Sequence, residues 1–190
     1  MGFTPNNNFN NSNQNGGEKK KTNFRLGKIW GSDGQMDVSI WVADTGVKSI
    51  LSIKSAVGKD PSTGANVLEQ KMPNELPRYF MDVNLMRAFI EISESTSDLG
   101  SINFVIDKGA AGKLTVVGQG NTIQITIDSS KQGSRTLTLD SVAVGNKNIH
   151  ASFKNLVELV KIAYRKALTN KLDPDEFGMA VGNNDDDMPI

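Results

Sequence analysis

The sequence predicts an α+β fold in which two antiparallel β-sheets are each followed by an α-helix. Several stretches alternate apolar and polar residues with period 2, the pattern of half-buried strands. Two longer stretches place apolar residues at helical spacing, one mid-chain and one near the end. The resulting order is three or four strands, a helix, four strands and a helix, a repeat of elements without obvious sequence identity between the halves.

The elements follow in order. Residues 1–23 form an Asn-rich arm, "NNNFNNSNQNGG" then "EKKK", too polar to offset its ordering entropy and expected to be disordered. "FRLGKIW" reads as the first strand. In "DVSIWVA", Val38, Ile40 and Val42 alternate with Ser39, Trp41 and Ala43. "ADTG" turns into a third strand, "KSILSIKSAV", and "GKDPSTGA" reads as a long loop. "NVLEQKM" is a candidate fourth strand, interrupted by Pro73 and Pro77. Asp82 is placed to cap a helix whose Leu85, Met86, Phe89 and Ile90 share a face. "SDLG" ends it. "SINFVID", "KLTVVG", "NTIQITID" and "RTLTLDSVAV" then read as four strands, with "GQGN" making a tight hairpin. In the last helix, residues 151–168, Phe153, Leu156, Val157, Val160, Ala163, Tyr164, Ala167 and Leu168 form the apolar face. From residue 173 the chain is acidic and linker-like. The expected units are an arm (1–23), a folded domain (24–172) and an acidic tail (173–190).

Composition narrows the chemistry. The 190 residues contain no cysteine, which excludes disulfides and thiolate metal sites. The single histidine, His150, reads as a cap or surface residue. A transition-metal site would need carboxylates alone, and none cluster outside the tail. "DKGAAGKL" fails the phosphate-loop pattern, because two residues separate Gly109 from Gly112 and Leu114 follows Lys113. No enzyme activity and no cofactor are expected. No apolar run approaches the roughly 20 residues of a membrane helix. The opening residues lack a signal-peptide pattern, so a cytoplasmic location is expected.

Charge is uneven. Residues 173–190 hold six acids and no Lys or Arg, which leaves 21 basic against 15 acidic residues in 1–172. A surplus of six positive charges on the body points to a polyanionic partner. Binding a nucleic-acid strand without sequence specificity requires cations for phosphates and aromatic faces for bases. The first half offers Lys28, Trp30, Trp41, Lys48, Lys54, Lys59, Arg78 and Tyr79, and the second half Lys113, Lys131 and Arg135. Trp41 falls on the face opposite Val38, Ile40 and Val42, so exposure is expected. A rival reading makes the chain an assembly protein whose sheets pair between subunits and bury Trp41 and Tyr79.

The end, "DDDMPI", resembles the C-terminal tip of bacterial single-stranded DNA-binding proteins, in which aspartates precede Ile-Pro-Phe. That resemblance implies docking of replication, repair and recombination proteins through Asp185, Asp186, Asp187, Met188, Pro189 and Ile190. Ile190 departs from the family's terminal aromatic. An acidic, apolar-ended hook fits a basic-rimmed apolar pocket. The body does not resemble that family's five-stranded OB-fold barrel, which is kept as the alternative fold. Strands, helix, strands, helix is similar to the Whirly family of single-strand binders, whose two four-stranded sheets are each followed by a helix. This topological resemblance spans residues 24–172. Together the features imply a single-stranded DNA-binding protein of a bacterial or phage-infected cell. It would coat strands in replication, recombination or repair and form homo-oligomers.

Overall fold

The computed structural model describes residues 23–43, 46–96 and 98–169. The arm up to residue 22 and the tail from residue 170, with the residues Asp185–Ile190 expected to dock partners, lie outside them. The strands are β1 (Asn23–Trp30), β2 (Gly34–Ala43), β3 (Gly46–Lys59), β4 (Asn66–Leu68), β5 (Arg78–Met81), β6 (Asn103–Asp107), β7 (Lys113–Gln119), β8 (Thr122–Ser129), β9 (Gly133–Asp140), β10 (Val142–Val144) and β11 (Lys147–Ile149). Helix α1 spans Val83–Ser95 and α2 spans Ala151–Thr169. All strand pairing is antiparallel. The α+β class and the order of sheet, helix, sheet, helix are therefore present.

The first sheet runs β1-β2-β3, and successive stretches of β3 pair with β5 and β4. The second runs β6-β7-β8-β9, and β10 and β11 form a separate ribbon. Two local features depart from the sequence expectation. Pro73 opens a short 3-10 turn, Pro73–Glu75, and Pro77 directly precedes β5. Both prolines thus precede a strand that the sequence pattern had hidden. "RTLTLDSVAV" is two strands, broken at Ser141, whose amide donates to the Asn121 carbonyl.

One continuous apolar core joins both sheets and both helices. Met36, Val38 and Ile40 from β2 and Leu51 and Ile53 from β3 bury one face of the first sheet. Ile123, Ile125, Ile127, Leu137 and Leu139 do the same for the second. Asp82 caps α1 as expected, accepting from the Leu85 amide at 3.0 Å. Met86, Phe89 and Ile90 are buried. On α2, Phe153, Leu156, Val157, Val160 and Ala163 are buried, whereas Leu168 is exposed and Lys166 takes a buried position. Gly27 lets α2 approach β1, since a Cβ there would sit 2.9 Å from Leu159 Cδ1.

Polar contacts tie the sheets together. The Tyr79 hydroxyl donates to the Ile106 carbonyl at 3.1 Å, and Lys108 Nζ donates to the Phe80 carbonyl at 2.7 Å. The β1–β2 turn covers the edge of β9: the Ser32 amide donates to Thr138 O, and the Thr138 amide donates to Asp33 Oδ1. Arg135 donates through Nε and Nη2 to the two oxygens of Glu69, at 3.2 and 3.3 Å. Burial pushes the Glu69 carboxyl up, but the Arg135 hydrogen bond and charge, the Ser55 amide and Lys71 outweigh it and hold it at about 2. A depressed carboxyl contributes stability above its unfolded value of 4.5 and loses it as pH falls toward 2. Glu69→Gln is expected to cost on the order of 1 kcal/mol at neutral pH. Urea unfolding across a pH series checks this, because the gap from the parent protein should close as pH falls below 4.5.

Candidate nucleic-acid interface

The face of the first sheet turned away from the core is organised by its register. Directly opposed residues on antiparallel strands share a face. Four rows of side chains therefore cross this face. Asn23, Trp41 and Lys48 make one, and Arg25, Ser39, Ile50 and Phe80 the next. Lys28, Asp37, Ser52 and Arg78 make the third, and Trp30, Gln35 and Lys54 the last. Successive rows lie about 7 Å apart, two residues along a strand.

A bulge sets the composition of β1. Plain alternation would place Arg25 with Gly27 and Ile29. The register shifts between Arg25 and Gly27, which brings Arg25 onto the same face as Lys28 and Trp30.

The aromatic residues form a platform with cations on it. Trp41 and Phe80 meet edge to face, with ring centroids 5.9 Å apart and planes at 70°. Phe80 is paired with Ile50, which is only 4% exposed. Lys48 Nζ lies 5.6 Å from the Trp41 centroid, and the Arg78 guanidinium carbon 5.6 Å from the Phe80 centroid. Trp30 is 54% exposed at the far row. Asp37 is the one acid in the rows. Its carboxylate is occupied by Arg25 at 3.5 Å and by the Gln35 amide at 3.0 Å. Lys28, Lys48, Lys54 and Arg78 have no ion pair among the described residues. Four free cations thus stand among three partly exposed rings.

Of the eleven residues singled out from the sequence, Lys28, Trp30, Trp41, Lys48, Lys54 and Arg78 gather here. Lys59 is exposed but lies beyond the rows, past the irregular pairing of β3 with β4. Tyr79 is a correction: it is fully buried on the core side of β5, so its ring has no open face for a base. Burial, with Asp107 and Asp82 nearby, pushes its hydroxyl up to about 12. Its neighbour Phe80 holds the outward position, and it was missed with its strand. Arg25 was missed because the bulge is invisible to simple alternation.

The second-half residues stand apart from this face. Lys113 pairs with Asp107 at 3.7 Å, and Lys131 is exposed in the β8–β9 turn. Arg135 is committed to Glu69. The outer face of the second sheet carries Val105, Thr115, Thr126, Thr136 and Thr138 instead of rings and free cations. The basic and aromatic chemistry is therefore one-sided.

Comparison with known proteins finds no matching family model, no similar curated protein and no matching solved structure. No helix of the described residues is long and apolar enough to cross a membrane. No group of three or more His, Cys, Asp or Glu side chains there is placed to hold a metal ion.

Proposed function

We propose that the chain is a single-stranded DNA-binding protein that holds its strand across the outer face of the first sheet. The observation that supports this most is the Trp41–Phe80 platform, flanked by Lys48 and Arg78 and extended by Lys28, Lys54 and Trp30. Bases stack on the rings, whatever their identity, because every base has a π-face. Phosphates take the free cations. The binding is non-sequence-specific, as coating of exposed strands in replication, recombination or repair requires. The sheet–helix–sheet–helix order supports a Whirly-like fold, with an OB barrel as the alternative. The tip, Asp185–Ile190, recruits partner proteins, and the setting is the cytoplasm of a bacterial or phage-infected cell.

An electrophoretic mobility shift with oligo-dT tests this reading. Four to five phosphate contacts predict a log–log salt slope of about −3. Deleting residues 185–190 should leave DNA binding intact or stronger while removing partner recruitment. Absence of binding at low salt, with and without the tail, would falsify the DNA assignment.

A second reading, an assembly protein, is favoured by one observation: the second sheet turns a row of Val105, Thr115, Thr126 and Thr136 outward, with Val105 53% exposed. Subunits pairing there would form a homo-oligomer and leave the first sheet's face open. Sedimentation of Val105→Lys distinguishes the two roles, since a pure assembly surface predicts dissociation without any DNA binding by the parent protein.

A further inference from the structure

Among the described residues, the two sheets end in β1, β4, β5, β6 and β9. Four of these edges are guarded against a further strand. Strand β1 carries the bulge between Arg25 and Gly27 and the cations Arg25 and Lys28. Strand β4 has three residues and pairs irregularly. Strand β5 has four, and its Phe80 carbonyl accepts from Lys108 Nζ. The edge of β9 is taken at Thr138 by Ser32 and Asp33 of the β1–β2 turn. Bulges, charges, short strands and covering loops all prevent edge-to-edge pairing.

Strand β6 has none of these guards. Asn103–Asp107 pairs with β7 in unbroken register and contains no Lys, Arg or Pro. Its outward backbone groups follow from the bonds that flank it. The Gly118 amide donates to the Ile102 carbonyl, and the Lys108 amide to the Gly112 carbonyl. These bonds put the even-numbered residues in hydrogen-bonded pairs with β7. The residues between them turn N–H and C=O away from β7. Asn103, Val105 and Asp107 therefore present their backbone groups at the open edge. No hydrogen bond among the described residues reaches those groups. Val105, at the centre, is 53% exposed. The Asp107 carboxylate, the one charge, accepts from the Gly109 amide at 2.7 Å and pairs with Lys113 at 3.7 Å.

We infer that β6 pairs antiparallel with β6 of a second copy of the chain, about a two-fold axis at Val105. The four-stranded second sheets of the two copies then join into one continuous sheet. The strand is complementary to itself in this register. Val105 opposes Val105, and Phe104 opposes Ile106 on the core side. Asn103 opposes Asp107 on the outer side, so no like charges meet and the amide can donate to the carboxylate. That fit to itself selects a second copy over a foreign peptide strand. The pairing uses the second sheet alone, leaves the Trp41–Phe80 face open and does not depend on the DNA reading.

Sedimentation of the full chain over a range of concentrations tests this. A reversible monomer–dimer equilibrium is expected, and a short strand makes an interface small enough to dissociate on dilution. Val105→Pro removes the amide that donates across the axis but no bond to β7, because that amide faces outward. It should abolish the concentration dependence. Cysteine pairs test the register without relying on that variant's folding, since the chain has no cysteine of its own. Asn103→Cys mixed with Asp107→Cys should give a disulfide-linked dimer on mild oxidation, because opposed residues lie about 5.5 Å apart. Neither variant alone should crosslink, because its two cysteines would lie about 14 Å apart along the strands. A parent protein that stays monomeric at every concentration overturns the inference and leaves the edge to a strand from another protein. A dimer that survives Val105→Pro, or single variants that crosslink as readily as the mixture, also overturns it.

Discussion

Replacing Trp41 and Phe80 together by alanine is expected to weaken single-stranded DNA binding by at least about thirtyfold. Stacking of one base on one aromatic ring contributes about 1–3 kcal/mol, so loss of two rings removes at least about 2 kcal/mol. Phe80 is also paired with the buried Ile50, so the variant's unfolding must be measured alongside its affinity. Phe80→Ala alone separates the effects, since Phe80 lies at the end of its row, on the outermost strand there, and only partly buried. The matched control lies on the other sheet. Thr126 and Thr136 share a hydrogen bond at 2.8 Å on its outer face. Thr136→Ala should leave affinity unchanged in a fluorescence-anisotropy titration. A comparable loss there would move the strand to the second sheet.

Phe89→Ala is expected to destabilise the protein by about 3–5 kcal/mol, the usual cost of emptying a fully buried aromatic site. Phe89 is fully buried and meets Phe104 at 5.8 Å and Phe153 at 6.3 Å between ring centroids. It therefore connects α1, β6 and α2, three elements from both halves of the chain. Because the core is continuous, the cavity has no independent subdomain into which to relax. Denaturant unfolding should show a lower midpoint with an unchanged slope. A loss below about 1 kcal/mol would contradict a single shared core.

Local pattern and long-range pairing account for what the sequence revealed. Trp41 was legible because its strand keeps strict alternation from Asp37 to Ala43, so its side follows from its neighbours. Both helices were legible because their apolar spacing is uninterrupted and Asp82 marks a start. Phe80 was hidden because β5 is four residues long and sits directly after Pro77. Its partner, β3, lies about thirty residues earlier, and local propensity carries no trace of that pairing. Tyr79 was assigned to the surface by its adjacency to Arg78. Adjacent strand residues face opposite ways, so Arg78 outward requires Tyr79 inward. Arg135 illustrates the remaining gap. Its charge was visible, but the carboxylate that occupies it, Glu69, lies 66 residues away in sequence. His150 was expected as a cap or surface residue. It is instead buried, 5% exposed, at the position directly before α2.

The central claim is that a DNA strand lies on the Trp41 face. The chain has two tryptophans, Trp30 and Trp41, so a Trp30→Phe variant of the full chain leaves Trp41 as the sole indole reporter. Its fluorescence is measured while oligo-dT is added at low salt and then displaced by salt. Stacking predicts saturable quenching that reverses as salt rises. Unchanged Trp41 emission at DNA concentrations that shift the protein in a gel would contradict the assignment of the strand to this face.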